Sequence, residues 1–250
     1  MLMKSVKPFF AKACFCSVLF LLAAMAAPVA HAADQAIVLT RDADLYRALL
    51  TKPKGAPKAS IILFPGGQGQ LHIGADGSLE AGQNNQLVRT RDAYAARGFA
   101  VMTLDLYTDR AAALAYMMKL KRPVVFVATS RGTLRAAEAI KDGVKPDGLV
   151  LTAGMIDPQL RGDNVPSVLG SPASLPPTLV VHHRQDGCRV TLPSGVDPFV
   201  AWASGKVRKV VWLDGGISTG DPCQARSHHG FNGIDGAVVS AVASFAAAPR

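Results

Sequence analysis

Apolar runs recur along this chain, and segments with helical periodicity separate them. The runs are rich in β-branched and aromatic residues, and several are apolar without alternation, which is typical of strands buried on both faces of a parallel sheet. They lie at residues 60–64, 99–104, 124–128, 149–152, 178–182 and 207–213. The pattern predicts an α/β protein with a mostly parallel central sheet and helices on both faces.

Helices are expected between and after these strands, because apolar residues there recur with the helical period. The predicted helices cover residues 85–97, 110–120, 134–142 and 233–247. The interval 157–177 is instead rich in proline, glycine and serine. It predicts a long loop, too short to form a separate lid domain.

The first residues of the chain follow a different pattern. Three lysines, at positions 4, 7 and 12, precede an apolar run over 13–27, and the small residues of Ala30-His31-Ala32 follow it. This order predicts a signal peptide over 1–32, export to the periplasm or the extracellular space, and one domain over 33–250. An uncleaved anchor is the alternative, but the run is shorter than the roughly 20 residues that a spanning helix needs. We expect no stable membrane anchor after cleavage.

Charge and cysteine content sharpen this picture. The whole chain carries a formal charge of +9, and its basic residues are spread out, which does not indicate a nucleic-acid partner. Cys14 and Cys16 would leave with the signal peptide, so the exported domain keeps Cys188 and Cys223. Two cysteines in an oxidising compartment predict one disulfide, with two separate buried thiols as the alternative.

Ser130 occupies the most informative position in the sequence. It lies in Ala128-Thr129-Ser130-Arg131-Gly132, where a predicted strand passes into a predicted helix. Small residues two positions either side of a serine allow a sharp turn that exposes the hydroxyl as a nucleophile. The strict pattern has glycine at both places, so Ala128 is a departure by one methyl group. The alternative is a serine that only caps the helix.

This elbow and the order of elements resemble the α/β-hydrolase superfamily, and in particular small exported hydrolases with a Thr-Ser-Arg-Gly-Thr elbow. The resemblance implies a nucleophile, an acid and a base in that chain order. Ser130, Asp186 and His229 fit it, because Asp186 follows the strand at 178–182 and His229 precedes the last helix in a His-Gly-Phe step. Asp157 and Asp214 are weaker candidates for the acid, and His228 is the alternative base.

The resemblance also implies an oxyanion hole made by two backbone N–H groups. One belongs to Arg131, the residue after the nucleophile. The other belongs to the loop after the strand at 60–64, where we select Gly67, with Gln68 close behind. A bridge between Cys188 and Cys223 would join the loop of the acid to the loop of the base.

Other functions remain to be weighed against this one. The pairs His182-His183 and His228-His229 would suggest a zinc hydrolase, but adjacent histidines do not have the i, i+4 spacing that places two ligands on one helical face. A catalytically silent binding protein of the same fold also stays open. The arginines at 131, 184 and 189, with His72, would favour an anionic substrate if they line the site, and are otherwise ordinary surface groups.

The sequence therefore predicts a serine hydrolase that needs no metal and no organic cofactor. Its partner would be a small-molecule acyl substrate, an ester before a thioester or an amide, cleaved through an acyl-enzyme.

Overall fold

A computed structural model describes residues 1–3, 34–41 and 44–249 of the chain. The chain divides into the units Met1–Ala30 and His31–Arg250, and every element described below belongs to the second. The predicted signal peptide, apart from its first three residues, lies outside the described residues. No helix within the described part of the chain is long and apolar enough to cross a membrane.

Eight strands of the described chain form one sheet in the order β1-β2-β4-β3-β5-β6-β7-β8. The first two strands are antiparallel to each other, and β2 is antiparallel to β4, while all the other neighbours are parallel. The strands are β1 (Asp34–Arg41), β2 (Asp44–Thr51), β3 (Ala59–Phe64), β4 (Phe99–Leu104), β5 (Val124–Thr129), β6 (Gly148–Thr152), β7 (Thr178–His183) and β8 (Val207–Leu213).

Helices follow most of the parallel strands and cover both faces of the sheet. They are α1 (Gln86–Arg89), α2 (Arg91–Ala96), α3 (Arg110–Leu120), α4 (Gly132–Lys141), α5 (Val165–Leu169), α6 (Val196–Trp202) and α7 (Asp235–Ala246). Single 3₁₀ turns lie at Pro172–Ser174, Pro193–Gly195 and His228–Gly230.

The core has two layers because successive side chains of a strand point to opposite faces. Ile62 and Phe64 of β3 pack on one face with residues of α3, α4 and α6. Ile61 and Leu63 pack on the other face with residues of α2 and α7. All six residues of β3, β4 and β5 are buried, as continuous apolar runs require. The predicted fold class is confirmed.

Three local predictions differ from the structure. The helix expected over 85–97 is two short helices, because the backbone leaves the helical region at Thr90 (φ −103°, ψ 1°). The loop expected over 157–177 contains α5, whose N-terminus is capped by the Asn164 side chain. The strands β1 and β2 and the helix α6 were not predicted, because their apolar patterns are short or irregular.

Candidate active site

Ser130 lies on the turn between β5 and α4, with a left-handed backbone (φ 51°). This conformation is strained for a residue other than glycine and persists only where the surroundings impose it. Gly132 allows α4 to lie close to the end of β3, since a Cβ atom there would lie 2.1 Å from the carbonyl oxygen of Phe64. Ala128 is fully buried in β5, so the methyl that departs from the strict pattern packs in the core.

Asp186 and His229 form a buried pair across two loops. Asp186 follows β7, and its Oδ2 lies 3.0 Å from His229 Nδ1. The backbone N–H of Cys188 donates to Asp186 Oδ1 at 2.9 Å. The two side chains are almost completely buried, with residue exposures of 3% and 5%. A carboxylate at Nδ1 holds the imidazole in the tautomer whose Nε2 is free to accept a proton.

Thr191 joins this pair, and sequence reasoning missed it. Its hydroxyl donates to Asp186 Oδ2 at 3.1 Å and lies 3.0 Å from His229 Nδ1. The Nδ1–H of His229 therefore faces two acceptors, the carboxylate and the hydroxyl oxygen. Thr191 lies five residues after Asp186, and no sequence motif surrounds it. Its contacts with Asp186 and His229 could therefore be identified only from the structure.

His182 is a second buried histidine beside the acid. Its Nε2 lies 2.8 Å from the Thr191 carbonyl oxygen and 3.9 Å from Asp186 Oδ2. Its Nδ1 has no hydrogen-bond partner in the described structure. Burial lowers the pKa of His182, and this effect outweighs the opposing attraction of Asp186. The ring is therefore neutral, and it supports Thr191 through the backbone.

The alternative acid and base candidates have other contacts. His228 stacks on His183, with ring centroids 4.3 Å apart, and its Nδ1 lies 3.3 Å from the Gln185 carbonyl oxygen. Asp214 pairs with Arg184 at 3.2 Å. The Oδ1 of Asp157 accepts the backbone N–H of Gln159 at 2.9 Å. Among the described residues, only the pair of Asp186 and His229 joins a candidate acid to a candidate base.

The loop after β3 is held by Arg135 of α4. This guanidinium donates to the carbonyl oxygens of Gly67 at 3.2 Å and Gln68 at 3.4 Å, and also to that of Pro65. Arg135 is only 8% exposed, and desolvation lowers its pKa to about 10, so it stays protonated at neutral pH. Gly67 has the left-handed φ of 59°. Arg135 was also missed, although an arginine on the buried face of a predicted helix is a usable signal.

One cavity of about 800 Å³ brings the predicted residues together. Ser130 and His229 both line it, while Asp186 lies buried behind the imidazole. Gly67 and Arg131 line the same cavity. Among the described residues no hydrogen bond joins the Ser130 hydroxyl to His229, a contact that often tightens only when substrate binds.

The predicted disulfide between Cys188 and Cys223 is present. Both cysteines line the cavity. The bond links the loop that carries Asp186 to the segment that leads into His229, across a sequence separation of 35 residues. Within the described ranges, no group of three or more His, Cys, Asp or Glu side chains could hold a metal ion.

Comparison with known proteins identifies the fold. No protein-family model and no curated protein matches the chain. The esterase domain of a Rhodothermus marinus protein is 13% identical and superposes with a TM-score of 0.59, over 86% of this chain and 98% of that chain.

Two further solved structures are similar over comparable lengths. A dienelactone hydrolase from Anabaena variabilis is 15% identical, with a TM-score of 0.55 over 87% of this chain and 98% of that chain. Carboxyl esterase 2 from the fungus Tuber melanosporum is 14% identical, with a TM-score of 0.58 over 90% of this chain and 89% of that chain. At sequence identities this low, the similarity supports a conclusion about the fold alone. The chain has the α/β-hydrolase fold.

Proposed function

We propose that this protein is a serine hydrolase that cleaves ester bonds, with Ser130 as nucleophile, His229 as general base and Asp186 as the acid that orients it. The observation that carries the proposal is the buried array of Asp186, Thr191 and His229, in which His229 lines the same cavity as a strained serine. Strain of this kind costs roughly 1 to 3 kcal/mol and is concentrated at functional sites.

The reaction would run in two halves. Ser130 Oγ attacks the ester carbonyl carbon while His229 Nε2 takes the hydroxyl proton, and the carbonyl oxygen becomes an oxyanion. The N–H groups of Gly67 and Arg131 would stabilise that charge, each by roughly 3 kcal/mol. The tetrahedral intermediate then expels the alcohol, which receives the proton from His229. Water repeats the sequence on the acyl-enzyme, with His229 as its base, and releases the acid and free Ser130.

The preference for esters rests on analogy. Two of the similar solved structures are named as esterases and a third as a dienelactone hydrolase. Fold alone does not determine the substrate, so thioesters and amides are the substrates against which ester cleavage should be compared.

We also propose that residues 1–32 are a cleaved signal peptide and that the domain works in the periplasm or outside the cell. The disulfide supports this, because such bonds persist mainly in oxidising compartments. The intact mass of the protein recovered from the exported fraction tests it. The expected mass corresponds to a chain that begins at Ala33, and a mass that includes the first 32 residues would contradict it.

The experiment for the activity is hydrolysis of para-nitrophenyl esters of graded chain length. We expect Ser130→Ala and His229→Ala to lose a factor of about 10⁴ or more in kcat/KM, and Asp186→Asn a similar factor. Ser244→Ala is the matched control, since its hydroxyl is exposed and, among the described residues, donates only to the Ser240 carbonyl oxygen within α7. Full activity in Ser130→Ala would refute the proposal and favour a silent binding protein or another nucleophile.

A further inference from the structure

The lining of the cavity is unusual in its charge. It contains no aspartate and no glutamate among its 26 described residues, but it contains two arginines, Arg131 and Arg189. His72 lines it as well. A cavity lined by one sign of charge raises the local concentration of ligands of the opposite sign.

Neither arginine is neutralised by the protein. Arg131 Nη1 lies 3.3 Å from the side-chain oxygen of Gln68, which is uncharged, and within the described structure no carboxylate pairs with Arg131 or Arg189. Arg184 is a useful contrast. It pairs with Asp214, lies over the Trp212 ring at 5.3 Å from its centroid, and does not line the cavity.

The two arginines reach the cavity from separate segments. Arg131 directly follows Ser130 at the start of α4, and Arg189 directly follows Cys188 in the loop after β7. A charged group on a substrate whose scissile carbonyl lies at Ser130 would therefore meet a cation from each of two segments that line the cavity.

The rest of the lining combines polar and apolar surface in similar shares. Amide side chains contribute to the polar share, and the large apolar residues are Leu71, Met155 and Val190. Leu71 is only 1% exposed, so it offers little surface to a ligand. A long acyl chain gains binding energy only from the apolar share, whereas the amides and the two arginines offer hydrogen bonds to a polar, charged substrate. The amide side chains are Gln68, Gln70, Gln83, Asn84, Asn85, Gln86 and Gln224.

We propose that the substrate is a small polar ester that carries a negative charge, held by Arg131 and Arg189. This rests on the proposed hydrolase activity and adds the substrate class. Guanidinium groups bind carboxylates and phosphates by charge-assisted hydrogen bonds, which are about twice as strong as neutral ones. The two arginines are exposed, so the preference should weaken as salt screens the charges.

Two pairs of esters test this, each matched in size and differing in charge. One pair compares para-nitrophenyl hexanoate with the para-nitrophenyl monoester of adipic acid, which places a carboxylate on the acyl side. The other compares meta-carbamoylphenyl butyrate with meta-carboxyphenyl butyrate, which places the carboxylate on the alcohol side. We expect kcat/KM to be about tenfold higher for the anionic member of at least one pair. That ratio should fall at high salt.

Variants then assign the preference to the arginines. The double variant Arg131→Gln/Arg189→Gln should bring the ratio of anionic to neutral kcat/KM close to one. Arg184→Gln is the matched control and should leave the ratio unchanged. The proposal of an anionic substrate would be overturned if the neutral ester were preferred in both pairs. It would also be overturned if the double variant kept the preference for the anionic ester.

The same assays separate this inference from the function on which it rests. Hydrolysis that Ser130→Ala abolishes, but that shows no preference for anionic esters, leaves the hydrolase and removes the substrate class. Hydrolysis that Ser130→Ala retains removes both.

Discussion

The two halves of the candidate site are held in place by different interactions. The nucleophile half, residues 64–68 and 128–135, is held by close backbone packing and by Arg135. The acid–base half, residues 182–191 and 223–230, is held by side-chain hydrogen bonds and one disulfide. The nucleophile half directly follows β3 and β5, which lie in the middle of the sheet. The acid–base half consists of loops on the side of the sheet where β7 and β8 lie.

Because the two halves are held by different interactions, substitutions in them should affect stability and activity to different extents. A change in the nucleophile half disturbs the packing of a central strand against a helix, so it should damage the fold and the activity together. A change in the acid–base half removes one or two hydrogen bonds from loops, so it should reduce the activity of a protein that still folds.

Gly132→Ala should have the largest effect. The added methyl would lie 2.1 Å from the Phe64 carbonyl oxygen, so α4 cannot keep its approach to β3. We expect a loss of about 4 to 5 kcal/mol in the free energy of unfolding, typical of severe overpacking, together with loss of activity. Chemical denaturation measures it. Gly236→Ala is the control, because its Cβ would meet nothing within 4 Å; equal behaviour of the two variants would contradict the packing argument.

Removing the disulfide tests the other half. Cys188→Ala/Cys223→Ala opens a loop of 35 residues, and we expect a loss of about 3 kcal/mol in the free energy of unfolding. We also expect a lower kcat at temperatures where the fold is intact, because the loops of Asp186 and His229 lose their link. Unchanged kcat in the folded double variant would show that the bond stabilises the chain without positioning the site.

Arg135→Met removes the donor that holds the loop after β3. Three carbonyl oxygens, of Pro65, Gly67 and Gln68, lose a buried cationic partner, which costs about 2 to 3 kcal/mol. If Arg135 positions the oxyanion hole, kcat should fall about a hundredfold with a smaller change in KM. Arg208→Met is the control, since its side chain is exposed and, within the described ranges, donates only to the Gly205 carbonyl oxygen. A rise in KM at constant kcat would assign Arg135 to substrate binding instead.

Thr191→Val should have a smaller effect, because it removes a single side-chain hydrogen bond to Asp186. Valine keeps the volume but removes the hydroxyl that donates to Asp186. We expect kcat to fall about tenfold and Thr191→Ser to restore most of it, since one hydrogen bond to a charged group is worth about 1.5 kcal/mol. Steady-state kinetics measures it, with Thr219→Val as the exposed control. Normal kcat in Thr191→Val would mean that the carboxylate alone orients His229.

The pH dependence of stability should show the smallest effect. Burial lowers the pKa of His182 in the folded protein, so below the ordinary histidine value of about 6.5 the unfolded chain binds a proton that the folded chain does not. The stabilisation that the neutral His182 contributes is complete above that pH and is lost as the pH falls, so the free energy of unfolding should decrease from pH 6.5 to pH 5.5. Chemical denaturation at both pH values should show a smaller decrease in the free energy of unfolding for His182→Gln than for the unaltered protein. An equal decrease in both proteins would assign the pH dependence to other groups.

The same division explains what the sequence could predict. The nucleophile half is local: a buried strand, a serine between small residues and a helix lie within a few positions, so Ser130 and Gly132 could be selected from spacing. Gly67 came from the oxyanion hole that the family resemblance implies. The acid–base half depends on contacts between distant residues. Asp186 and His229 came only from the chain order that the family resemblance implies, and Thr191 carried no local signal.

Strands at the β1 edge of the sheet were harder to predict for a related reason. The central strands are buried on both faces and appear as apolar runs, so β4 was predicted with the bounds that the structure has. The helix α3 and the opposite edge strand β8 were also predicted with their bounds, although β8 is only partly buried. Strands β1 and β2 lie at the edge, where residues such as Gln35 and Val38 are exposed. Burial no longer dictates their pattern, and long-range pairing with β4 decides their structure.

The most direct test of the account is covalent labelling with a fluorophosphonate probe, followed by intact-mass analysis and peptide mapping. The two halves together should make Ser130 Oγ displace fluoride from the probe and form a single phosphonate ester. We predict one adduct on Ser130 in the folded protein, much slower labelling in His229→Ala, and no adduct in Ser130→Ala. An unlabelled native protein, or an adduct on another residue that persists in Ser130→Ala, would contradict the assignment of Ser130 as the nucleophile.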